Sequence, residues 1–344
     1  MFINIATNVW REVMDNLVSK PQLVNFTIKD SKTLLIEAYE PILQSEKVEI
    51  SEVTKSDDSY TSITVLINLS YRIISAESVE LRFHEEMLEI KALDYTAAFK
   101  ADYEARIDIR RVDSDIVSVT SNDLEYISNK TAALRNLSKV LKAEQPTIIV
   151  KDNMAFYILS NMAYVIPFNF PDSMISIDTL RALNQVAHAH RLASVDIQVA
   201  KDRTGYCMAE YGNDCSCAFN IKYELNSTSF NILTEMNKCK KALSTQFNPL
   251  HEKVKLIERT FKQIKTVVTL SDNSGYINCR SGVSSSLVFG YGTYKDILTF
   301  ETNISTLSTI CRVFGDDLVE VKMNGRYLCL ETATQRMLLA GTLH

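Results

Sequence analysis

Ile149-Val150-Lys151-Asp152-Asn153, followed by Phe156-Tyr157-Ile158, is the stretch that decides how this chain is read. An apolar run, a polar break carrying Asp and Asn, and a second apolar run spell a β-hairpin. The pattern occurs upstream as Thr27-Ile28-Lys29-Asp30-Ser31 before Leu34-Leu35-Ile36, and downstream as Thr269-Leu270-Ser271-Asp272-Asn273 before Tyr276-Ile277. The three aspartates are spaced by 122 and then 120 residues. Self-similarity at a nearly fixed period settles the architecture before any single element does.

A second set of hairpins falls between the first. Val79-Glu80-Leu81-Arg82-Phe83 leads to Met87-Leu88-Glu89-Ile90, Val195-Asp196-Ile197-Gln198-Val199 to Gly205-Tyr206-Cys207-Met208, and Val319-Glu320-Val321-Lys322-Met323 to Tyr327-Leu328-Cys329-Leu330. Apolar and polar residues alternate, so each strand has one buried face and one wet face. Asn324-Gly325 is read as a type I′ turn, which needs positive φ at both central positions.

Each hairpin follows a helical pattern. Trp10, Val13, Met14 and Leu17 precede the first, Leu134, Leu137, Val140 and Leu141 the third, and Leu256, Ile257, Phe261 and Ile264 the fifth. The others follow Leu66 to Ile74, Ile177 to Leu192, and Ile304 to Phe314. The chain thus reads as an α+β protein of six helix-then-hairpin units. Paired, they give three domains, 1–114, 115–226 and 227–344.

Composition agrees. The 344 residues are 46% hydrophobic and 23% charged, with only 9 Gly and 6 Pro, which leaves little room for low-complexity segments. No apolar run is long enough to span a membrane, and Met1 to Trp10 lacks the basic start and apolar stretch of a signal peptide. Seven irregularly placed cysteines fit free thiols in a reducing compartment, and Cys207, Cys215 and Cys217 lack the paired spacing of a zinc site. The expectation is therefore no metal and no cofactor, in the cytoplasm.

Three domains, each of two helix-plus-strands units, resemble the bacterial and phage DNA polymerase III β subunit, the DNA sliding clamp family. The stretch Ser305 to Leu343 is most similar: a helix, then Asp317-Leu318-Val319-Glu320-Val321, a turn, Leu328-Cys329-Leu330, and the apolar Arg336-Met337-Leu338-Leu339-Ala340. Gly341-Thr342-Leu343-His344 departs from the strongly apolar ending of the family. The resemblance implies the DNA clamp fold, a divergent and phage-type member, and a non-enzymatic processivity factor at the replication site. It also implies a head-to-tail homodimeric ring in which the first domain of one copy meets the third of the other. Duplex DNA, a polymerase and a clamp loader would be the partners, with no membrane.

That reading makes a demand on charge, because helices line the hole of a clamp. Arg135, Lys139 and Lys142 fall at i, i+4 and i+7, opposite Leu134, Leu137 and Leu141. Lys255, Arg259 and Lys262 repeat the spacing 120 residues on, opposite Ile257, Phe261 and Ile264. Arg72, Arg181, Arg191 and Arg312 come from the second helices. The first-domain helix carries only Arg11 and Lys20, beside Glu12 and Asp15. The net charge is −5, so positive charge has to be local, and contacts are expected to phosphate without sequence preference. His188 and His190, at i and i+2, do not share a helix face and are given a surface or channel role.

By the same resemblance, a partner-peptide groove would use Met337, Leu338 and Ala340 from the C-terminal strand, with Tyr164 and Leu180. No catalytic constellation is present: there is no P-loop, dinucleotide fingerprint or HExxH, and Val283-Ser284-Ser285-Ser286 lacks the nucleophile elbow. Three readings compete. They are a clamp-like monomer that assists replication or transcription without closing a ring, a phage structural or interaction protein without a DNA role, and an unrecognised hydrolase.

Overall fold

A strand that alternates apolar and polar residues must bury one face, and this chain solves the problem by stacking sheets on each other and on helices. The computed structural model describes residues 2–17, 22–39, 42–50, 52–54, 61–67, 77–93, 95–101, 111–140, 147–159, 162–211, 215–223, 228–246, 251–252, 254–256, 259, 265–271, 274–279, 286–290, 298–324 and 327–340. They pack as two units, Met1–Glu125 with Asp178–Lys222, and Tyr126–Ile177 with Tyr223–His344.

The first unit contains β1 (Phe2–Ala6), α1 (Thr7–Asn16), β2 (Gln22–Ile28), β3 (Thr33–Ala38), β4 (Leu43–Glu49), β5 (Glu52–Thr54), β6 (Ser62–Ile67), β7 (Ser78–Phe83), β8 (Met87–Ala92), β9 (Tyr95–Lys100) and β10 (Ser114–Thr120). It also holds most of α3 (Ile177–Ala189), with β15 (Ser194–Ala200), β16 (Tyr206–Tyr211) and β17 (Cys215–Asn220). The second holds most of α2 (Ser121–Val140), then β11 (Thr147–Lys151), β12 (Met154–Leu159), β13 (Met162–Pro167) and β14 (Ser173–Ser176). After the return it continues with α4 (Thr228–Lys238), β18 (Lys240–Gln246), β19 (Lys265–Ser271), β20 (Ser274–Cys279), β21 (Ser286–Gly290), β22 (Leu298–Asn303), α5 (Ile304–Phe314), β23 (Leu318–Asn324), β24 (Tyr327–Glu331) and β25 (Arg336–Ala340). Helical residues at 251–252, 254–256 and 259 lie between β18 and β19.

The strand orders carry the repeat. One sheet runs β5-β1-β7-β8-β9, the next β10-β15-β16-β17-β4-β3-β2-β6, the third β14-β11-β12-β13-β25-β24-β23-β18, and the last β21-β20-β19-β22. The quartets β1-β7-β8-β9, β10-β15-β16-β17 and β18-β23-β24-β25 are one motif used three times. So are β4-β3-β2-β6, β13-β12-β11-β14 and β21-β20-β19-β22. Each eight-stranded sheet joins one quartet of each kind. The joins are equivalent: β17 with β4 at Ser216↔Ser45, Cys217↔Gln44 and Ala218↔Leu43, and β25 with β13 at Leu338↔Ala163 and Met337↔Tyr164.

In the first unit, α1 lays Trp10, Val13 and Met14 into a core of alternating strand residues: Ile3 and Ile5, Val24 and Phe26, Leu34 and Ile36, Val79, Leu81 and Phe83, Leu88 and Ile90. Trp10 stacks on Phe26 with ring centroids 6.4 Å apart. This core is thus the inward half of the alternating strands that build it, as the pattern of apolar residues requires.

Local geometry refines the turns. Asp152 and Asn153 both have positive φ, 51° and 59°, and link Lys151 to its cross-strand partner Met154, so this is the type I′ turn. Asn324 instead pairs with Tyr327 as the last residue of β23, so it is not a central turn residue, and Gly325 lies outside the described residues. Lys32 donates its amide to Asp30 Oδ1 at 2.8 Å, an Asx turn that closes the first hairpin. Gly205 has φ 81°, and a Cβ there would lie 2.0 Å from the Ile221 carbonyl oxygen, so no other residue fits.

Two expected helical faces differ. Leu66 and Ile67 belong to strand β6, where Ile63, Val65 and Ile67 are buried and Leu66 is outside; the rest of the expected helix lies outside the described residues. Among the helical residues 251–252, 254–256 and 259, His251 and Val254 are buried whereas Leu256 is 67% exposed, so Leu256 lies off the buried face. Ile257, Phe261, Ile264 and Leu141 lie outside the described residues. The expected helices at Ile177–Leu192 and Ile304–Phe314 are present as α3 and α5. Among the described residues no helix is long and apolar enough to cross a membrane.

Trp10 is the single tryptophan, so its emission reports the first unit alone. Phe26→Ala removes its stacking partner and a fully buried ring, and is expected to cost about 3–5 kcal/mol. The check is a lower urea midpoint of the Trp10 signal.

Candidate functional site

The basic residues expected to face DNA differ in their placement. Arg191 is exposed and ends α3 in a left-handed conformation, φ 52°, with its amide donating to His188 O at 3.2 Å and that of Leu192 to Ala187 O at 2.9 Å. Arg312 is exposed in the last turn of α5, and Arg259 is exposed on the 251–259 helix. Arg181 is half-buried on α3 and lies seven residues before the exposed His188, so the two share a face. Lys255 is half-exposed and bonded to Glu252 at 2.9 Å, so its charge is already partnered within its own helix; this salt link also holds the Glu252 carboxyl below its ordinary range. Arg135 and Lys139 lie on α2. Arg72, Lys142 and Lys262 lie outside the described residues.

His190 is not a surface or channel residue. Its Nε2 sits 3.1 Å from Oε1 of the buried Glu46, and its ring packs on Tyr211 with centroids 4.6 Å apart. Glu46 also accepts hydrogen bonds from Gln44 Nε2 at 2.9 Å and from the Cys215 thiol at 3.3 Å. The cluster therefore satisfies a buried carboxylate beside the β4–β17 join, the requirement for any buried polar group. Cys207 and Cys217 are buried free thiols, pushed up to about 12 by burial. Among the described residues no group of His, Cys, Asp and Glu could hold a metal ion.

A hollow of about 270 Å³ opens on one face of the second unit's eight-stranded sheet. Its floor comes from Ile158 and Leu159 of β12, Met162 and Ala163 of β13, Tyr327 of β24, and Leu338 and Ala340 of β25. Asn231, Ile232 and Glu235 of α4 form its wall. Register explains the floor: Ala163, Leu338 and Cys329 stand side by side across three strands, and Tyr327 stands opposite Ala340. The small side chains of Ala163 and Ala340 leave the depression. Glu235 marks its rim, bonded to Lys238 at 2.8 Å and approached by Asn324 Nδ2 at 3.5 Å.

Strand alternation divides the five residues expected in a groove. Leu338 and Ala340 line the hollow. Met337 and its cross-strand neighbour Tyr164 point through the sheet into the core, both almost wholly buried. Leu180 is buried on α3 in the first unit and does not line it. Tyr164 instead anchors a polar chain: its hydroxyl donates to Gln335 Oε1 at 2.6 Å, and Gln335 Nε2 donates to Asp317 Oδ2 at 2.7 Å. Burial pushes the Tyr164 phenol upward, so it stays a donor. The wall helix α4 was not expected, although Ile232, Leu233 and Met236 at i, i+1 and i+4 carry its signal.

No family model and no curated protein matches the sequence. Solved structures do match, over their whole length. The DNA polymerase sliding clamp from Caulobacter crescentus aligns with a TM-score of 0.76 at 11% identity, covering 100% of both chains. DNA polymerase III subunit beta from Borrelia burgdorferi, in complex with a natural product, aligns at 0.73 and 14%, covering 100% of this chain and 99% of that one. The Helicobacter pylori beta clamp, bound to a DNA ligase peptide, aligns at 0.69 and 10%, covering 100% of both. This chain has the sliding-clamp fold. The resemblance first read from repeated hairpins is therefore a resemblance of architecture, and the threefold strand order is how a clamp fold is written in this sequence.

Within that fold the Tyr164–Gln335–Asp317 chain joins β13 to the loop before β25 and to the start of β23. Tyr164→Phe leaves the buried Gln335 oxygen without its donor and is expected to cost about 1–3 kcal/mol. Chemical denaturation of the full chain checks it; an unchanged midpoint would contradict the role given to the hydroxyl.

Proposed function

We propose that the protein is a DNA sliding clamp: a non-enzymatic, ring-forming processivity factor that encircles duplex DNA as a head-to-tail homodimer and tethers a polymerase. The observation that carries this reading is a pair of strand edges equivalent to those already joined. β17 pairs with β4 and β25 with β13, and the same quartets end at β9 and β21, each the last strand in its sheet among the described residues. β9 takes the place of β17 and β25 in its quartet, and β21 the place of β4 and β13. Pairing β9 of one copy with β21 of another repeats the existing join, removes two open edges, and closes a ring after two copies. Three domains, 1–114, 115–226 and 227–344, are proposed on the same ground, with each eight-stranded sheet joining one quartet of each kind.

Arg135, Lys139, Lys142, Lys255, Arg259, Lys262, Arg72, Arg181, Arg191 and Arg312 are proposed to meet phosphate. Arg191, Arg259 and Arg312 are exposed on or beside helices, which supports local positive charge in a chain of net charge −5. The hold on DNA is topological, so each contact can be weak and salt-sensitive. The hollow at Leu338 and Ala340 is proposed to take an apolar side chain of a polymerase or clamp-loader peptide. The neighbour that carries a DNA ligase peptide supports that class of ligand. Identities of 10–14% to bacterial clamps suit a phage or mobile-element member, acting at the replication site in the cytoplasm.

Light scattering after gel filtration tests the ring. The expected mass is about twice 38.9 kDa at micromolar concentration; a strict monomer at every concentration and salt would remove the topological tether. Charge reversal at Arg191 and Arg312 is expected to weaken binding to all duplex sequences alike and to flatten its salt dependence, read by fluorescence anisotropy. A loss confined to one sequence would contradict it.

A further inference from the structure

The lining of the hollow carries one charge. Glu235 is the one carboxylate among the described residues that line it, and no lysine, arginine or histidine is among them. The strands of its floor, β12, β13, β24 and β25, contain a single basic residue, Arg336, and Glu331 of β24 already holds it at 3.2 Å. Glu235 follows Asn231 by four residues and precedes Lys238 by three, so the three share one face of α4. The Glu235 side chain is 28% exposed and holds the Lys238 ammonium at 2.8 Å, whereas Lys238 is 56% exposed and reaches in from solvent. Asn324 Nδ2, 3.5 Å from the other carboxylate oxygen, adds no charge. The rim thus already binds an alkylammonium group, through a solvent-exposed pair that is worth little and is readily exchanged.

We propose that Glu235 is a specificity-determining residue: it selects segments that carry a lysine or arginine beside the apolar side chain entering the hollow. This rests on the peptide-docking role proposed for the hollow and adds the charge of the peptide to it. A segment laid over Ile232 and Leu338 covers the carboxylate as well, since Glu235 lines the same depression as both. Covering a carboxylate removes its water, and that cost stands unless a cation comes with the segment. A lysine or arginine on the segment takes the place of Lys238, which returns to solvent. One ion pair is exchanged for another, now in less water and therefore stronger. A neutral segment leaves only the pair with Lys238, and an acidic one sets carboxylates beside each other, so discrimination comes from repulsion as well as attraction.

The test is a nuclear magnetic resonance titration of the full chain, its isoleucine and leucine methyl groups isotope-labelled, with three capped pentapeptides. They are acetyl-Ser-Lys-Leu-Lys-Ser-amide and the same peptide with glutamine, or with glutamate, in place of both lysines. The methyl signals of Ile232 and Leu338 report occupation of the hollow. The lysine peptide is expected to half-saturate them at a concentration about three- to fivefold below the glutamine peptide, with the glutamate peptide weakest, and added salt should narrow the gap. Glu235→Gln should bring the three together. Lys238→Gln removes the resident cation and should widen the preference for lysine. Three equal half-saturation points in the wild-type chain would overturn the proposal and leave peptide docking intact. So would a preference for lysine that survives in Glu235→Gln, because it would trace to the net charge of −5 and not to the rim. No methyl shift with any of the peptides would remove the docking role itself, and the proposal with it.

Discussion

Backbone amides and carbonyls along a sheet edge need partners, and this chain meets that need by lending edges between successive repeats. The three pairs between β17 and β4 and the four between β25 and β13 do more than extend sheets. They make two quartets that are far apart in sequence into one continuous surface. The hollow depends on this directly, since β12 and β13 come from one side of such a join and β24 and β25 from the other. Without the pairing of Ala163 with Leu338 there is no floor. The buried Glu46 cluster beside the other join follows the same logic, because a polar group caught at a seam has to be satisfied by both sides.

Much of the architecture was legible because hairpins announce themselves locally. Alternation along Val79–Phe83, Val195–Val199 and Val319–Met323 sets one face of each strand, and all three are strands with the expected partners. What alternation does not set is where a strand gives way to a helix. Leu66 and Ile67 are apolar in either state, and only the ladder with β2 shows that they close a strand. The 251–259 helix has apolar residues on two sides, so sequence spacing alone favoured Leu256 when tertiary packing took Val254 and His251. The Asn-Gly pair at 324–325 promised the turn, yet Asn324 pairs with Tyr327 and stays in the strand.

The site was only partly legible, for a related reason. A groove on a sheet is made by every second residue, so a contiguous run such as Met337-Leu338 is split between the hollow and the core. His190 looked like a surface residue by its neighbours Arg191 and His188, whereas its partner Glu46 is 144 residues away in sequence. Long-range contacts of this kind come from the fold, and they are where the chemistry of this chain lies beyond the expected charge and groove.

The central claim is that β9 and β21 are two halves of one join. Hydrogen–deuterium exchange, followed peptide by peptide at increasing protein concentration, tests it at the backbone. The account predicts that amides in 95–100 and 286–290 gain protection together as concentration rises, while β17 and β4 are unchanged. Equal exchange in both strands from dilute to concentrated protein would contradict it, and with it the closed ring.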